Sequence, residues 1–297
     1  MQYRNSALTA AATLLMAGLV LLIAPGVTQA YPPGFTSDKL AASSACSDSV
    51  DVATSGEYVH LVRTTPSGTL YYTRMSHHGD TLDFQTRIDL SGTYADHRPA
   101  IGAKANGEVF IAYTSHDPFE QGAPNNEQLC LRYSPDNGVT WQSGYFERTN
   151  DAHDHANPRF GLSDNGSLLL VYQYYGSGHS EVYFREVNGG GWSGEIIASV
   201  ADSTADYYPS ICGFGANDYA IAYEELVGSD SVIKVARYQS GTWTFRWTVS
   251  AAVSGHTKSY PDIVAYAGDR YCVVWNDYDG VNSEAWERRF ILGGWQA

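Results

Sequence analysis

The chain has 297 residues, with 18 lysines and arginines against 32 aspartates and glutamates, which gives a formal net charge of −14. Such an acidic surface repels phosphate backbones and anionic lipid, so nucleic acid is not an expected partner. The length suits one large all-β domain or two small domains.

The first thirty residues have the pattern of a secretory signal peptide. Arg4 supplies a short basic region, residues 7–24 are apolar or small apart from two threonines, and Pro25 and Gly26 break the segment before Ala30. An uncleaved membrane anchor is the alternative, because the apolar run is near the lower limit for a span. We expect cleavage after residue 30, a secreted extracellular protein, and no membrane contact for the mature domain, residues 31–297.

The four cysteines are far apart, with no CxxC pair, which excludes a zinc ribbon or a thioredoxin-type motif. They are Cys46, Cys130, Cys212 and Cys272. In a secreted protein they could form two disulfides in three possible pairings. Buried free thiols are the alternative, since Cys212 and Cys272 lie within apolar strand patterns.

A repeat of roughly 51 residues runs through the mature chain and indicates a repeat fold. Each copy leads through a Gly or Asn turn to an apolar strand that ends in an aromatic residue. The copies are anchored at Ser49, Pro99, Pro158, Pro209 and Pro261. A second series of aromatic residues has the same period, at Phe84, Trp141, Trp192, Trp243 and Trp295.

Each copy reads as four short strands separated by turn signals, which is typical of a propeller blade. The sequence therefore predicts an all-β, five-bladed β-propeller, with blades near residues 45–94, 95–152, 153–204, 205–254 and 255–297. The last copy ends at Ala297 before a fourth strand, so we expect the N-terminal segment 31–43, through Phe35 to Leu40, to close the ring. An open two-sheet sandwich is the rival architecture.

The second copy contains the motif S-x-D-x-G-x-T-W, formed by Ser134, Asp136, Gly138, Thr140 and Trp141. This motif resembles the Asp-box of the sialidase-like (BNR repeat) superfamily of β-propellers. The resemblance implies a structural turn between the third and fourth strands, on the face opposite the ligand site. It is an argument about fold and assigns no chemistry.

The catalytic residues of sialidases are not evident in this chain. Arg98-Pro99 partly matches the Arg-Ile-Pro sequence of that superfamily, but sialidases are six-bladed and five copies occur here. Five-bladed arabinanase-like glycosidases use three acidic groups at the ring centre. Asp48, Asp96 and Glu224 occupy suitable strand ends, a resemblance of position alone.

One face of the propeller, formed by the loops before the first strand and between the second and third strands, carries most of the polar and aromatic candidates. We expect this face to bind a poly- or oligosaccharide, because aromatic rings stack on sugars and carboxylates accept their hydroxyl protons. The substrate-binding candidates are His97, Arg98, His153, His155, Arg159, Tyr174, Tyr207 and Lys258. The longer loop between Ser115 and Gln128 is either a lid or a tolerated insertion.

Three residues are catalytic candidates on this face. Glu224 and Asp277 form a possible acid and base pair across the ring, as in a glycoside hydrolase. His116, with Tyr174 and an arginine, instead suits a polysaccharide lyase. The competing hypotheses are a non-catalytic lectin or adhesion propeller, or a surface protein that binds no ligand.

No metal site is predicted, and no cofactor apart from an open possibility of calcium. His153 and His155 lack a third ligand at a fixed spacing. The acidic segment from Asp277 to Glu284 has oxygen ligands at alternate positions but lacks the full calcium-loop pattern, and an acidic turn explains it equally well.

Overall fold

The computed structural model describes residues 49–76, 81–88, 96–116, 126–144, 146–176, 178–200, 202–267, 270–291 and 293–296. For Asp96, His97, Phe245 and Ala267 it describes the backbone alone. The predicted signal peptide, the predicted closing strand 31–43, Cys46 and Asp48 lie outside these residues.

The described chain is built from antiparallel strands in five sheets. In chain order the strands are β1 (Val50–Ser55), β2 (Tyr58–Thr64), β3 (Leu70–Ser76), β4 (Thr81–Arg87), β5 (Asp96–Ala103), β6 (Val109–Ser115), β7 (Gln128–Ser134), β8 (Glu147–Arg148), β9 (Asp154–Leu162), β10 (Leu168–Gly176), β11 (His179–Asn188), β12 (Gly191–Trp192), β13 (Ile196–Ile197), β14 (Asp206–Phe214), β15 (Asp218–Val227), β16 (Asp230–Gln239), β17 (Thr242–Thr248), β18 (Thr257–Ala267), β19 (Arg270–Tyr278), β20 (Ser283–Ile291) and β21 (Gly294–Trp295). Each sheet is a meander whose neighbours in sequence are neighbours in space, and the third sheet adds β13 beside β11.

The five sheets are the blades of a β-propeller, and the predicted fold class is confirmed. The first strands of the blades contact one another in the order β1, β5, β9, β14 and β18, so they form the inner layer. Each inner strand is hydrogen-bonded to one neighbour within its own sheet and presents its other edge to the central channel. We call the end of the propeller at which the inner strands begin the loop face, and the opposite end, with the hairpins between first and second strands, the turn face.

The hydrophobic core lies between neighbouring blades. In blades two to five the aromatic residue near the middle of the second strand packs against the preceding blade: Tyr113 with Leu70 and Tyr72, Tyr172 with Phe110, Tyr223 with Val171, and Trp275 with Ile233. The three tyrosines have no exposed surface. Burial of such a ring removes about 150–250 Å² from water, or about 4–6 kcal/mol of transfer free energy each.

Polar contacts between blades repeat at the loop face. The Ser180 hydroxyl donates to the carbonyl of Asp206 over 2.7 Å, and the equivalent Ser231 hydroxyl donates to the carbonyl of Lys258 over 2.7 Å. In each pair the third strand of one blade is joined to the inner strand of the next. These hydrogen bonds fix the position of each blade along the propeller axis relative to its neighbour. They therefore also fix the residues that lead into the inner strands.

In blades three to five the outer edge of the sheet includes the repeated tryptophan, as in Thr242–Thr248. In blade three the short strand β13, which follows Trp192, also pairs with β11. The last blade also has a fourth strand of its own, the two-residue β21, which pairs Trp295 with Phe290. The prediction that the last copy ends without a fourth strand is therefore wrong, because Gly294 and Trp295 pair with Ile291 and Phe290 of β20.

The Ser134–Trp141 turn links blades one and two at the turn face. The Asp136 carboxylate accepts hydrogen bonds from the backbone N–H and the hydroxyl of Thr140, at 2.8 and 2.7 Å. The Ser134 hydroxyl accepts from the N–H of Gly138 at 2.9 Å. The N–H of Asn137 donates to the carbonyl of Gly107 over 2.7 Å, which places this turn beside the first hairpin of its blade.

A buried histidine in blade one extends the same contact. His60 lies between the hydroxyls of Ser55 and Tyr72, each 2.7 Å from a ring nitrogen, while the Ser55 hydroxyl donates to the side-chain oxygen of Asn137 over 2.9 Å. Burial, reinforced by nearby Arg74, lowers the pKa of His60 to about 4. The ring is therefore neutral at physiological pH, and it orders Ser55 and Tyr72, whose hydroxyls donate to Asn137 of blade two.

Cys212 and Cys272 carry free thiols, so the alternative of unpaired cysteines holds for these two residues. Within the described ranges no helix is long and apolar enough to cross a membrane.

We predict that Gly138→Ala destabilises the protein more than Gly166→Ala. Both glycines have positive φ, at 77° and 85°, and therefore share the conformational cost of an L residue there. A Cβ at position 138 would overlap the Tyr72 hydroxyl, whereas one at position 166 meets nothing within 4 Å. Urea denaturation of both variants measures the difference, and equal losses would contradict the packing described here.

Candidate functional site

The inner strands of blades two to five share one backbone irregularity at the loop face. The residue before each anchor proline has positive φ: Arg98 at 49°, Asn157 at 53°, Tyr208 at 50° and Tyr260 at 52°. At each place two residues of the inner strand oppose one residue of the second strand, as the shift in register between Tyr207 and Ser210 shows. These are β-bulges, and each lies opposite the buried aromatic residue of its blade.

The sequence explains why the bulge forms at this position. Proline has no N–H to donate, so it is tolerated on an edge strand or at a bulge, and the inner strand is an edge. Left-handed backbone costs about 1–3 kcal/mol for a residue that does not favour it. Of the four bulge residues, only Asn157 belongs to a type enriched in that region. A strained conformation that recurs in four blades points to a function for the side chains it directs.

Tyrosines from three blades lie in contact around the mouth of the channel. The ring of Tyr208 lies 4.4 Å from that of Tyr260 and 6.1 Å from that of Tyr207, and Tyr207 lies 6.5 Å from Tyr175. We call Tyr175, Tyr207, Tyr208 and Tyr260 the tyrosine arc. Tyr175 and Tyr260 are exposed, so the arc offers apolar ring surface to a ligand on the loop face.

Arg98 is on blade two, next to the blade that carries Tyr175, and interacts with the arc. Burial raises the pKa of both Tyr208 and Tyr175, and the positive charge of Arg98 opposes the increase at each. An Arg98 guanidinium nitrogen lies 3.6 Å from a carboxylate oxygen of Glu127, and His116 lies 4.0 Å from the same carboxylate. The predicted residues Arg98, His116 and Tyr207 therefore share one site.

Glu224 is the titratable group beneath the arc. It lies opposite Tyr207 in the neighbouring strand, and its charge acts on Tyr208. The side chain is 5% exposed, and one carboxylate oxygen is buried with no hydrogen-bond partner. Burial raises the pKa of Glu224 to about 7, and nearby Ser231 opposes the increase. A carboxyl group with this pKa can hold a proton at neutral pH and donate it.

A glutamine occupies the position of Glu224 in the preceding blade. Gln173 accepts hydrogen bonds from the side chain of Asn157 at 2.8 Å and from the backbone of Tyr208 at 3.3 Å. Its side-chain oxygen thereby connects two bulge residues of neighbouring blades. This contact positions Tyr208, and the arc with it.

The channel below the mouth contains a charged group from each of three blades. Asp51 of β1, Arg159 of β9 and Asp262 of β18 interact electrostatically. Burial raises the pKa of Asp51, and Arg159 opposes this increase. The carboxylate of Asp51 also accepts the N–H of Ile101 at 2.9 Å. Arg159, predicted to bind substrate, therefore lies inside the channel beside two carboxylates.

Two predicted binding residues are buried between blades. His155 is completely buried between blades two and three, 3.6 Å from Asp151 and 3.8 Å from Glu195, and Lys258 is 3% exposed. Their prediction as substrate contacts is not supported, because the third residue before each proline points toward the preceding blade. Tyr174 donates or accepts a 2.9 Å hydrogen bond with His153, also at the interface of blades two and three, away from the tyrosine arc.

Asp277 is held by groups of its own blade. Its carboxylate lies 2.9 Å from His256 and 3.6 Å from Lys258. Asp277 is on blade five and Glu224 is on the neighbouring blade four, and the acid and base pair stays a prediction. Asp279 accepts hydrogen bonds from the N–H groups of Val281 and Asn282, so this acidic segment is a turn. The described residues contain no group of three or more potential metal ligands, and the side chain of His97 is outside the description.

The residues that sequence analysis missed are Tyr175, Tyr208, Tyr260 and Glu127. The three tyrosines lie near the loop-face ends of β10, β14 and β18, and nothing in the sequence distinguishes them from other tyrosines. A usable signal existed for two of them, since Tyr208 and Tyr260 directly precede the anchor prolines.

Comparisons with known proteins agree with the fold. No family model matches the chain, and no curated protein matches its sequence. The solved α-L-arabinanase of Penicillium chrysogenum complexed with arabinobiose is 14% identical, with a TM-score of 0.53 over 78% of this chain and 77% of that one. The shared feature is the propeller fold.

Two further structures of similar fold carry other activities in their names. An ulvan lyase, from a new family of polysaccharide lyases, is 8% identical, with a TM-score of 0.56 over 80% of this chain and 63% of that one. A Hadza microbial sialidase is 15% identical, with a TM-score of 0.55 over 83% of this chain and 57% of that one. At these identities the likeness concerns architecture alone.

Asp206, beside the arc, provides a test of the buried charges. It is 1% exposed, and both its carboxylate oxygens lack a hydrogen-bond partner. Burial, together with the charges of Glu181 and Glu225, raises its pKa, while Ser199 opposes the increase. The ionised form is therefore disfavoured in the folded protein.

We predict that the wild type loses stability relative to Asp206→Asn as the pH rises above about 4, because the Asp206 carboxyl then ionises in the unfolded chain but not in the folded protein. The loss should end once the pH exceeds the raised pKa of Asp206 in the folded protein. Melting temperatures of both proteins from pH 4 to pH 8 measure this effect. Asp202→Asn is the control, because hydrogen bonds from Thr204 lower the pKa of Asp202. An equal trend in both variants would contradict this account.

Proposed function

We propose that the protein binds a polysaccharide across the mouth of the loop face and hydrolyses it there, with Glu224 as general acid. The observation that carries this proposal is the position of a carboxyl group with a pKa of about 7 beneath four tyrosines from three blades. Neither feature by itself indicates catalysis, but together they combine a sugar-stacking surface with a proton donor.

The tyrosine arc supports a carbohydrate ligand. Tyrosine rings present an apolar face to the C–H surface of a sugar and a hydroxyl to its polar groups. The arc extends over blades three, four and five, which suits an extended chain better than a single small molecule. The solved structures of the same fold include proteins named arabinanase, ulvan lyase and sialidase, which supports the same ligand class.

Hydrolysis of a glycosidic bond needs a second carboxylate besides the acid. We assign this role to Glu127, whose side chain is 18% exposed and lies on the Arg98 side of the mouth. The Arg98 guanidinium lies 3.6 Å from this carboxylate and orients it at the mouth. Asp277 is less suitable because His256 and Lys258 already engage its carboxylate.

A lyase is the second candidate, and His116 is the observation that favours it. The imidazole is 44% exposed and lies beside Glu127 and Arg98. In this role His116 would remove the proton from the carbon next to a uronic acid carboxylate while Arg98 pairs with that carboxylate. The C–O bond to the leaving sugar would break as the C=C bond forms, and the protonated imidazole would return the proton to the leaving oxygen. The products distinguish the candidates, since a lyase yields an unsaturated fragment that lacks the water added by hydrolysis.

Secretion through residues 1–30 and kinship with Asp-box propellers belong to the same proposal. The four fixed contacts of the Ser134–Trp141 turn support that kinship. An extracellular location suits a polymer substrate, which does not cross a membrane.

We predict that Glu224→Gln reduces hydrolysis at least 100-fold while binding is retained, because the amide cannot donate the catalytic proton. Wild-type activity should fall with rising pH above about 7, where Glu224 loses its proton. Release of reducing ends from a panel of neutral, uronic and sulfated polysaccharides measures both effects. Glu284→Gln, on the exposed part of blade five, is the control. Full activity of Glu224→Gln would reject the acid role, and binding without products from the wild type would favour a lectin.

We also predict that Tyr260→Ala weakens binding of the polysaccharide about twofold to tenfold, the contribution of one aromatic contact. Tyr266→Ala is a matched control, because both tyrosines are exposed on β18 but Tyr266 lies toward the turn face. Titration in the Glu224→Gln background separates binding from turnover. Equal affinities of the two variants would place the ligand elsewhere.

A further inference from the structure

The guanidinium of Arg98 has unused hydrogen-bonding capacity at the centre of the proposed site. Its side chain is 48% exposed, and its contact among the described residues is the 3.6 Å ion pair with Glu127, which is too long for a hydrogen bond. An arginine carries five N–H donors in a rigid planar fork. Arg98 therefore presents most of these donors toward the mouth.

The backbone holds Arg98 in this place at a cost. Its φ of 49° is unfavourable for arginine, and the following proline restricts the alternatives. The equivalent bulge residues are Asn157, Tyr208 and Tyr260. One cation, one amide and two aromatic rings thus occupy four equivalent positions around the same opening. This set matches a sugar that bears an anionic group, with hydroxyls for the amide and an apolar face for the rings.

We propose that the ligand is an anionic glycan whose negative group binds Arg98. This inference rests on the proposed function and specifies its substrate class. A uronic acid carboxylate and a sulfate ester share the required chemistry, since both accept paired hydrogen bonds from a guanidinium. Glu127 is displaced from Arg98 or shares it with the ligand, while His116 remains beside Glu127.

The net charge of the protein does not exclude such a ligand. A charge of −14 repels an anionic polymer at long range. At an ionic strength of about 0.15 M the Debye length is about 8 Å, so charges elsewhere on the surface are largely screened at the mouth. Contacts within a few ångströms therefore decide recognition, and the cation among the bulge residues is Arg98.

The experiment compares two variants and two treated ligands. Binding is measured by calorimetry in the Glu224→Gln background with a polysaccharide that contains both uronic acid and sulfate. Arg98→Gln removes the positive charge and the planar set of N–H donors of the guanidinium. Arg289→Gln is the control. Arg289 has a similar exposure of 44% and pairs with Glu287 on β20, away from the mouth. The ligand is used intact, after reduction of its carboxyl groups, and after removal of its sulfates.

We expect Arg98→Gln to weaken binding of the intact glycan roughly 10- to 100-fold, the effect of losing hydrogen bonds to a charged group, and Arg289→Gln to leave it unchanged. One of the treated glycans should bind the protein with Arg98 as weakly as the intact glycan binds Arg98→Gln. The Arg98→Gln substitution should then weaken the binding of that treated glycan no further. Carboxyl reduction identifies a uronic acid, and desulfation identifies a sulfate ester.

Equal affinity of Arg98→Gln and its parent for the intact glycan would overturn this inference. If a neutral glycan is then bound and cleaved, with Tyr260→Ala weakening its binding, the proposed function stands without the anionic substrate class. Absence of binding and products with every glycan of the panel would reject the proposed function itself. Arg98→Lys provides a further check, because it keeps the charge but should retain only part of the affinity.

Discussion

The site depends on one constraint, the β-bulge that each inner strand of blades two to five forms just before its anchor proline. It lies opposite the buried aromatic residue of the second strand, so the interblade core and the loop face meet at one point in each blade. The core sets the position of the second strand, and the bulge then sets where the inner strand projects. The mouth is thus organised by packing between blades and not by the loops themselves.

The repeat made the fold predictable, because blade formation depends on a pattern that recurs along the chain. Anchor prolines, Gly or Asn turns and strand-ending aromatics each report a local requirement, and five copies of the same requirements indicate five blades. The two-residue strand β21 was missed since a strand that short contains no periodic signal. Its evidence is the pairing of Gly294 and Trp295 with Ile291 and Phe290.

The site was less predictable because a bulge reverses the alternation of side chains. With strict alternation from Ile211, Tyr207 would face blade three and Asp206 would face away from it. The extra residue at Tyr208-Pro209 exchanges them, so Asp206 lies among the carboxylates beside blade three and Tyr207 lies opposite Glu224. The same exchange buries His155 and Lys258, which sequence reasoning had placed in contact with ligand. The pKa of Glu224 was equally inaccessible, since it arises from burial.

The four bulges also separate the chemistry of the mouth from the stability of the scaffold. Each first residue departs from the ladder of hydrogen bonds, while the proline behind it is buried and the aromatic residue opposite holds the blade together. A substitution at the bulge residue changes the side chains available to a ligand at the mouth and leaves the interblade core intact. The side chains at the four bulge positions, Arg98, Asn157, Tyr208 and Tyr260, can therefore vary independently of the interblade core. A propeller built this way can acquire new ligands one blade at a time, through substitutions that its folding tolerates.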